Sequence, residues 1–499
     1  MQRSTYWIGL FLLAFFAFKV LRFQTLAYTY NDMYAFLQMS CSWMDGRPFM
    51  YENIWGYHHK IHNYYTVLLW GPLCRFFGVY GLFAVQTALL LISYGLVNER
   101  LARRSVPPWA RYALLGTMLL GPVSFWLNDH PNIGWHTELT YLPAALLFAL
   151  ALSGASRPAA IAAGLGVVLI KEDGAILGAL IHLAYDGVRF MRDQPKRPLW
   201  QWLTQPRFWL IGLGWGCVFV LGMVWLGFKN NFAEPRLQQA LNLIGSGSGE
   251  LAFWRQMLIL VGQSVLLLLP VLGLLLWFGK ALGRGIGSKA LVMWLAGVAV
   301  LTGLNFVQSS LYYGQPLFSM VSLTWPPRFV LLWAFSAAFL TTLLYELGGG
   351  FQSVVKWPVG LVGGGLFVLQ LPLLYLARPD FPTPREWAAT VRGRYYAEKN
   401  PAYLQPGDLA IIRCLADQLP PRSNVFAFDF LVPFFHRHYG IWPTGNQYCP
   451  ADVALLPIDD PQGLRKVLPM REPYEVIRLK AYNLYVSAPY KRAVKQCIR

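Results

Sequence analysis

The stretch "VVLIKEDGAILGAL" (Val167–Leu180) sets three consecutive charges, Lys171, Glu172 and Asp173, inside an otherwise apolar run. Charges at mid-membrane are expensive. Two foldings are open to such a stretch. One long helix carries the charges at its centre, or the charges form the tip of a helical hairpin.

The surrounding chain is apolar enough to make this a membrane question. Of 499 residues, 56% are hydrophobic and only 13% are charged, where a soluble globular protein carries about 25% charge. Apolar blocks recur from Tyr6 to about Leu376. That is the signature of an α-helical integral membrane protein. The net charge of +18 does not point to nucleic acid. Lys and Arg concentrate in short loops between apolar blocks, where they set orientation, and no nucleic-acid motif is present. The N-terminal "MQRSTYWIGLFLLAFFAFKV" lacks a small-residue cleavage site and reads as a retained first helix.

The basic loops decide between the two foldings. "ERLARRSVPPWAR" (99–111), "VRFMRDQPKRPLWQWLTQPR" (188–207) and "KALGRGIGSK" (280–289) are the most basic, and the positive-inside rule puts all three in the cytoplasm. A single helix over 159–185 leaves three spans between the first two loops and sends them to opposite sides. A hairpin leaves four and returns both to one side. The hairpin arms have about 13 and 15 residues, short of the roughly 20 needed to cross hydrocarbon. Its tip therefore stops below the outer surface.

The full count is about eleven transmembrane helices, near 6–28, 81–99, 109–127, 137–153, 158–170, 174–188, 208–228, 256–278, 290–308, 328–346 and 357–376, with an amphipathic piece "YYTVLLWGPLCRFFG" before the second. The N-terminus is then cytoplasmic. Residues 1–377 form the membrane domain and 378–499 an extracytoplasmic α/β domain. Its helix is "PGDLAIIRCLADQL" and its strands are "NVFAF", "DVALLPI" and "YEVIRLKAYNLYVS". Six cysteines show no C-x-x-C pair. Cys41 with Cys74, or two of Cys414, Cys449 and Cys497, can pair on an oxidising side.

With this topology the chemically capable residues gather outside. The first outer loop carries Asp32, then His58, His59, Lys60 and His62. The second carries Asp129, His130, His136 and Glu138. The hairpin tip carries Lys171, Glu172 and Asp173, and later loops add Lys229, Arg236, Arg255 and Arg328. Intramembrane ionisable groups are functional candidates. Plainer roles compete with each. Asp32 can cap its helix, the histidines can hydrogen-bond a wet loop, Lys171 can merely neutralise its two neighbours, and Arg328 can anchor at headgroups.

Three stretches, "YNDMYAFLQMSCSWMDGRPFM", "HPNIGWHTELTYLPAALLFALAL" and "GVVLIKEDGAIL", resemble in the same order a family of prokaryotic membrane proteins grouped with the GT-C glycosyltransferases. The resemblance covers roughly residues 25–185; this chain has Asn31-Asp32 where the family shows Phe-Asp. It implies a GT-C-like fold and transfer of a sugar from a polyprenyl-phosphate donor to an acceptor hydroxyl of a glycan, lipid or protein, on the outer face of a bacterial inner membrane. Asp32 would be the general base, with Glu138, Glu172 and Asp173 as further catalytic acids. Lys171, His58, His59, His62, His136 and Arg328 would bind substrate. Asp129 and His130 could hold Mg, Mn or Zn. The rival readings are a transporter or flippase for a lipid-linked substrate, and a non-catalytic GT-C-like subunit of a membrane complex.

Overall fold

The computed structural model describes residues 3–28, 32–54, 56–120, 134–154, 156–232, 251–313, 326–350, 384–392, 405–427, 431–438, 440–443, 451–458 and 474–498. The chain is a multi-pass, mainly α-helical membrane protein with a small α/β unit at its C-terminal end. Helix α1 (Arg3–Gln24) is followed by α2 (Asp32–Cys41), a two-stranded hairpin β1 (Tyr51–Glu52) and β2 (Gly56–Tyr57), and the short α3 (Gly71–Phe77). Then come α4 (Val79–Arg103), α5 (Pro108–Leu120), α6 (Tyr141–Gly154), α7 (Arg157–Val168), α8 (Gly174–Asp193) and α9 (Pro206–Lys229). Three more follow: α10 (Leu251–Leu282), α11 (Arg284–Tyr313) and α12 (Pro326–Leu347). Among the described residues six segments are long and apolar enough to cross a membrane: Tyr6–Gln24, Val79–Arg103, Thr137–Gly154, Pro206–Lys229, Gly285–Phe306 and Phe329–Leu347. Residues 121–127 and 357–376 of the expected spans lie outside the described residues.

The charged tip breaks the helix as the loop parity requires. α7 has 12 residues and stops at Val168; α8 has 20 and starts at Gly174. The turn closes with the Gly174 amide donating to the Lys171 carbonyl at 3.0 Å. Gly174 is needed there, because a Cβ would lie 2.2 Å from the Val167 carbonyl oxygen. α7 is too short to span, so the tip is held within the protein.

All three basic loops meet at one end of the bundle. Arg104 stacks on Tyr345, 4.4 Å from its ring. Arg192 pairs with the adjacent Glu346. Lys289 donates to the carbonyls of Pro195 and Arg197 at 2.6 and 2.7 Å. α12 is the enclosed central helix and packs against α6 and α8, whereas α9 is peripheral and exposes most of its apolar face. The Lys171–Asp173 tip, at the opposite end of α8, faces away from the basic loops.

The C-terminal unit contains α13 (Pro384–Val391), α14 (Pro406–Gln418), β3 (Asn424–Ala427), β4 (Gly440–Pro443), β5 (Val453–Pro457), β6 (Tyr474–Arg478), β7 (Tyr482–Ser487) and α15 (Lys491–Ile498). Its sheet has the order β4-β3-β5-β7-β6, with β3 parallel to β4 and β5 and the other pairs antiparallel. The run "YEVIRLKAYNLYVS" is a hairpin rather than one strand. Its turn is fixed by Asp408 of α14, whose carboxylate accepts the Lys480 and Ala481 amides at 3.0 and 2.7 Å. Cys414 and Cys497 join α14 to α15 in a disulfide. Cys41 and Cys74 are free buried thiols, so that expected alternative is not used.

His436 pegs this unit to the membrane helices. Its ring makes edge contacts with Phe23 of α1 and Tyr80 of α4, at 5.1 and 5.2 Å. Its Nδ1 accepts the Val79 amide at 3.3 Å. Burial pushes the imidazole down to about 3, so the peg is neutral. Gly78 stands beside it with φ of +58°, where a Cβ would meet the ring at 2.3 Å.

Candidate functional site

The polar residues opposite the basic loops form one connected cluster. Asp32 is the first residue of α2, half-buried, with its nearest charges on His58 and Glu52. Burial raises its carboxyl to about 6, with His58 pulling the other way and Glu52 adding to the rise. His58 follows β2 directly and places Nδ1 3.3 Å from Glu52 Oε1. The His58 ring lies 5.6 Å from Tyr64 and 6.1 Å from His62. Phe36 of α2 walls this group, 5.2 Å from Tyr64 and 4.6 Å from His136.

The hairpin tip reaches the cluster with all three charges, and each has a different partner. Lys171 Nζ lies 2.5 Å from Glu138 Oε1 and 3.6 Å from Asp173 Oδ2. Burial opposes the ammonium charge, but the Glu138 and Asp173 carboxylates outweigh it and hold Lys171 well above its ordinary range. Asp173, 2% exposed, also accepts the Tyr141 hydroxyl of α6. Glu172 turns to the first loop. It pairs with His62 Nδ1 at 2.7 Å and accepts the Asn63 amide at 3.2 Å. The Thr66 amide adds a third tie, to the Leu169 carbonyl at 3.0 Å.

His136 precedes the turn Thr137–Thr140, and its Nδ1 accepts the Glu138 amide at 3.4 Å. Burial, then the charge of Lys171, keeps its imidazole neutral, well below the usual range. Lys229 ends α9 at the same rim. Its ammonium donates to Asn63 Oδ1 at 2.7 Å and to the Tyr65 hydroxyl at 2.9 Å, both neutral oxygens. His59 sits at the edge, with its ring near Phe49 and Tyr57.

Thus Asp32, His58, His62, His136, Glu138, Lys171, Glu172 and Asp173 are brought into one cluster. His59 lies on its margin. Arg328 stands in the first turn of α12, and its side chain is outside the description. Asp129 and His130 lie outside the described residues. Among the described residues no three His, Cys, Asp or Glu side chains are grouped to hold a metal ion.

Four members were not among the residues singled out from the sequence: Glu52, Asn63, Tyr64 and Tyr141. Glu52 was detectable only through the "EnxxG" turn that precedes the histidines. Two buried cations of α1 were also unexpected. Lys19 donates to Gln86 Oε1 and the Gly134 carbonyl at 2.9 and 2.7 Å, and Arg22 is enclosed 5.3 Å from the Tyr28 ring. Through Gly134, Lys19 braces the end of the second outer loop.

No family model matches the chain, and no curated protein matches it. Among solved structures it is similar to the crystal structure of ArnT from Cupriavidus metallidurans bound to undecaprenyl phosphate, over 97% of this chain and 98% of that one, with a TM-score of 0.48 and 12% identity.

Proposed function

We propose that this chain is an integral-membrane glycosyltransferase that moves a sugar from a polyprenyl-phosphate donor to an acceptor hydroxyl on the extracytoplasmic face of a bacterial inner membrane. The observation that carries the reading is a carboxylate raised by burial to about 6, Asp32, in the same polar cluster as the Lys171–Glu138 pair, with Lys229 at the rim of that cluster. A general base works best when its pKa lies near the working pH. The motif resemblance to GT-C glycosyltransferases supplies the substrate class. The Cys414–Cys497 disulfide supports an oxidising, periplasmic location for the C-terminal unit.

In this mechanism Asp32 takes the proton of the acceptor hydroxyl as its oxygen attacks the anomeric carbon. The carbon–oxygen bond to phosphate breaks, and the electron pair leaves with the phosphate. The leaving phosphate needs a cation. Lys171 is already balanced by two carboxylates, so its task is to fix Glu138 and the tip. Among the described residues the hydrogen bonds of the Lys229 ammonium go to neutral oxygens, with the Glu172 charge nearby, and it stands beside the exposed Trp225 and Phe228, where a lipid phosphate would arrive. Lys229 is therefore the better phosphate ligand. The acids Glu138 and Asp173 orient the acceptor through their oxygens, and Glu172 holds the first loop in place.

The reading is tested by incubating the full chain, in lipid nanodiscs, with a panel of radiolabelled undecaprenyl-phosphate sugars and an envelope extract as acceptor. Donor-dependent labelling that falls in Lys229→Gln through a raised donor KM supports it. The absence of labelling with every donor, together with a stable co-purifying protein, favours a non-catalytic subunit. Movement of the intact donor across the bilayer favours a flippase. Treatment with EDTA, followed by Mg, Mn or Zn, asks whether Asp129 and His130 hold a metal.

A further inference from the structure

The Tyr65 hydroxyl, at the rim of the cluster, is approached by two groups that can only donate. Lys229 Nζ lies 2.9 Å from its oxygen and Trp225 Nε1 2.5 Å from it. An ammonium and an indole N–H have no lone pair to offer, so both lone pairs of the phenol oxygen are taken. The hydroxyl proton is left for a third partner, and among the described residues no acceptor for it is found. Burial raises this hydroxyl above its ordinary range, against the pull of the Trp225 hydrogen bond, so it keeps its proton. Lys229 likewise has one N–H beyond those it gives to Tyr65 and to Asn63 Oδ1. Asn63 holds the two donors in place. It is 5% exposed, its amide donates to Glu172 Oε2 at 3.2 Å, and its Nδ2 donates to the Gly222 carbonyl of α9 at 3.1 Å. Two fixed donors at this spacing resemble the fork of a bidentate phosphate contact. The surroundings suit a lipid. Trp225 and Phe228 stack with ring centres 6.0 Å apart, both half exposed or more, and the exposed Phe49 lies 6.5 Å from the Tyr65 ring. Aromatic rings at a membrane boundary sit at headgroup level.

We infer that Tyr65 is a second phosphate-binding residue: its hydroxyl and the Lys229 ammonium hold two oxygens of one lipid-borne phosphate, and the hydroxyl stabilises the charge which that phosphate gains on leaving. This rests on the glycosyl-transfer reading. The donor phosphodiester carries one negative charge. The acceptor oxygen forms the new bond to the anomeric carbon. The bond from that carbon to the phosphate oxygen breaks, and its electron pair leaves with the phosphate as a second negative charge. The acceptor proton goes to the base, and Tyr65 keeps its own proton, giving a hydrogen bond only. That hydrogen bond is stronger to the departing dianion than to the bound diester, so it lowers the barrier more than it tightens donor binding. Trp225 and Lys229, by occupying both lone pairs, aim the O–H away from themselves and toward the phosphate.

The test starts without sugar transfer. The full chain in nanodiscs is titrated with undecaprenyl phosphate, and binding is read by native mass spectrometry in wild type and in Tyr65→Phe. Tyr65→Met, whose flexible chain fills gaps, is the second variant if the first does not fold. Loss of the hydroxyl should weaken binding of the lipid phosphate about tenfold. In transfer assays the same variant should lower kcat about a hundredfold, with a smaller change in donor KM. Inorganic phosphate at the same concentration should not displace the lipid; displacement would assign the seat to free phosphate and overturn the lipid assignment. Unmoved lipid binding in the folded variant overturns the seat, and the transferase reading stands if sugar is still transferred. Weakened binding with an unmoved kcat overturns the stabilising role of the hydroxyl. Weakened binding in a protein that transfers no sugar from any donor overturns the transferase reading instead, and the Tyr65–Lys229 seat stands.

Discussion

Lys171 of the hairpin tip and Glu138 of the turn before α6 form a buried ion pair, with Nζ 2.5 Å from Oε1 and both side chains at most 12% exposed. This pair fixes the tip to the helix bundle and joins two of the three outer segments. Removing one partner of a buried pair strands the other charge, at a cost of about 3–5 kcal/mol. Lys171→Met should therefore lower the unfolding temperature in detergent markedly, and Lys171→Met with Glu138→Gln should recover much of it. A double variant no more stable than the single one would show that the pair does not act as a unit.

Glu172 holds the His58–Thr66 loop rather than facing open space, through His62 Nδ1 and the Asn63 amide. Glu172→Gln keeps hydrogen-bonding capacity and should cost about 1–3 kcal/mol while reducing transfer by less than about tenfold. Hydrogen exchange of residues 58–66 should speed up. A loss of transfer of about a thousandfold with unchanged exchange would return Glu172 to a direct catalytic role.

The folding of the tip was legible in the sequence because charge parity between loops is a global constraint. A single helix cannot put residues 99–111 and 188–207 on one side, and the contacts of Arg104 and Arg192 with neighbouring residues of α12 place them together. The gathering of Asp32, Glu138 and the tip at the opposite end follows from the same count. The partners did not follow. Whether Glu172 or Asp173 turns to the loop or to α6 depends on rotamers and on Asn63 and Tyr141, which carry no distinctive pattern. Glu52 looked like one more acid in a wet loop, since nothing local announces that a two-residue strand will bury it. Strand β4 and the His436 peg were missed for the same reason: both are defined by tertiary contacts to distant chain segments.

Gly78 and His436 make a second test of the docking. A Cβ on Gly78 would lie 2.3 Å from His436 Nδ1 on a backbone with φ of +58°. Left-handed backbone alone costs an alanine about 1–2 kcal/mol. Gly78→Ala should loosen the C-terminal unit, seen as faster limited proteolysis between the membrane helices and residue 405. His436→Phe should be milder, losing the acceptor for the Val79 amide but keeping the ring contacts. Equal proteolysis in wild type and Gly78→Ala would mean that the peg does not hold the unit.

The Cys414–Cys497 disulfide closes a segment with a sequence separation of 83 residues. Chain-entropy arguments assign such a closure about 4.5 kcal/mol. Reduction, or Cys414→Ser, should lower the melting temperature of the C-terminal unit while the membrane helices keep theirs. A free-thiol count showing both cysteines reactive without denaturant would contradict the bond.

In the proposed mechanism Asp32 can act as a base only when ionised, and its carboxyl is raised to about 6 by burial. The ionised fraction is therefore high above that pH and is lost below it. Plots of kcat/KM against pH should bend at about 6 and fall about tenfold per unit on the acid side. A profile flat down to pH 5 would place the base elsewhere.

The account stands most directly on Asp32 itself. The deciding measurement is the single-turnover rate of sugar transfer from the undecaprenyl-phosphate donor by wild type and by folded Asp32→Asn, at a pH above 7. The account predicts a loss of about a hundredfold or more in the variant with donor binding retained. Transfer by Asp32→Asn at the wild-type rate would contradict it.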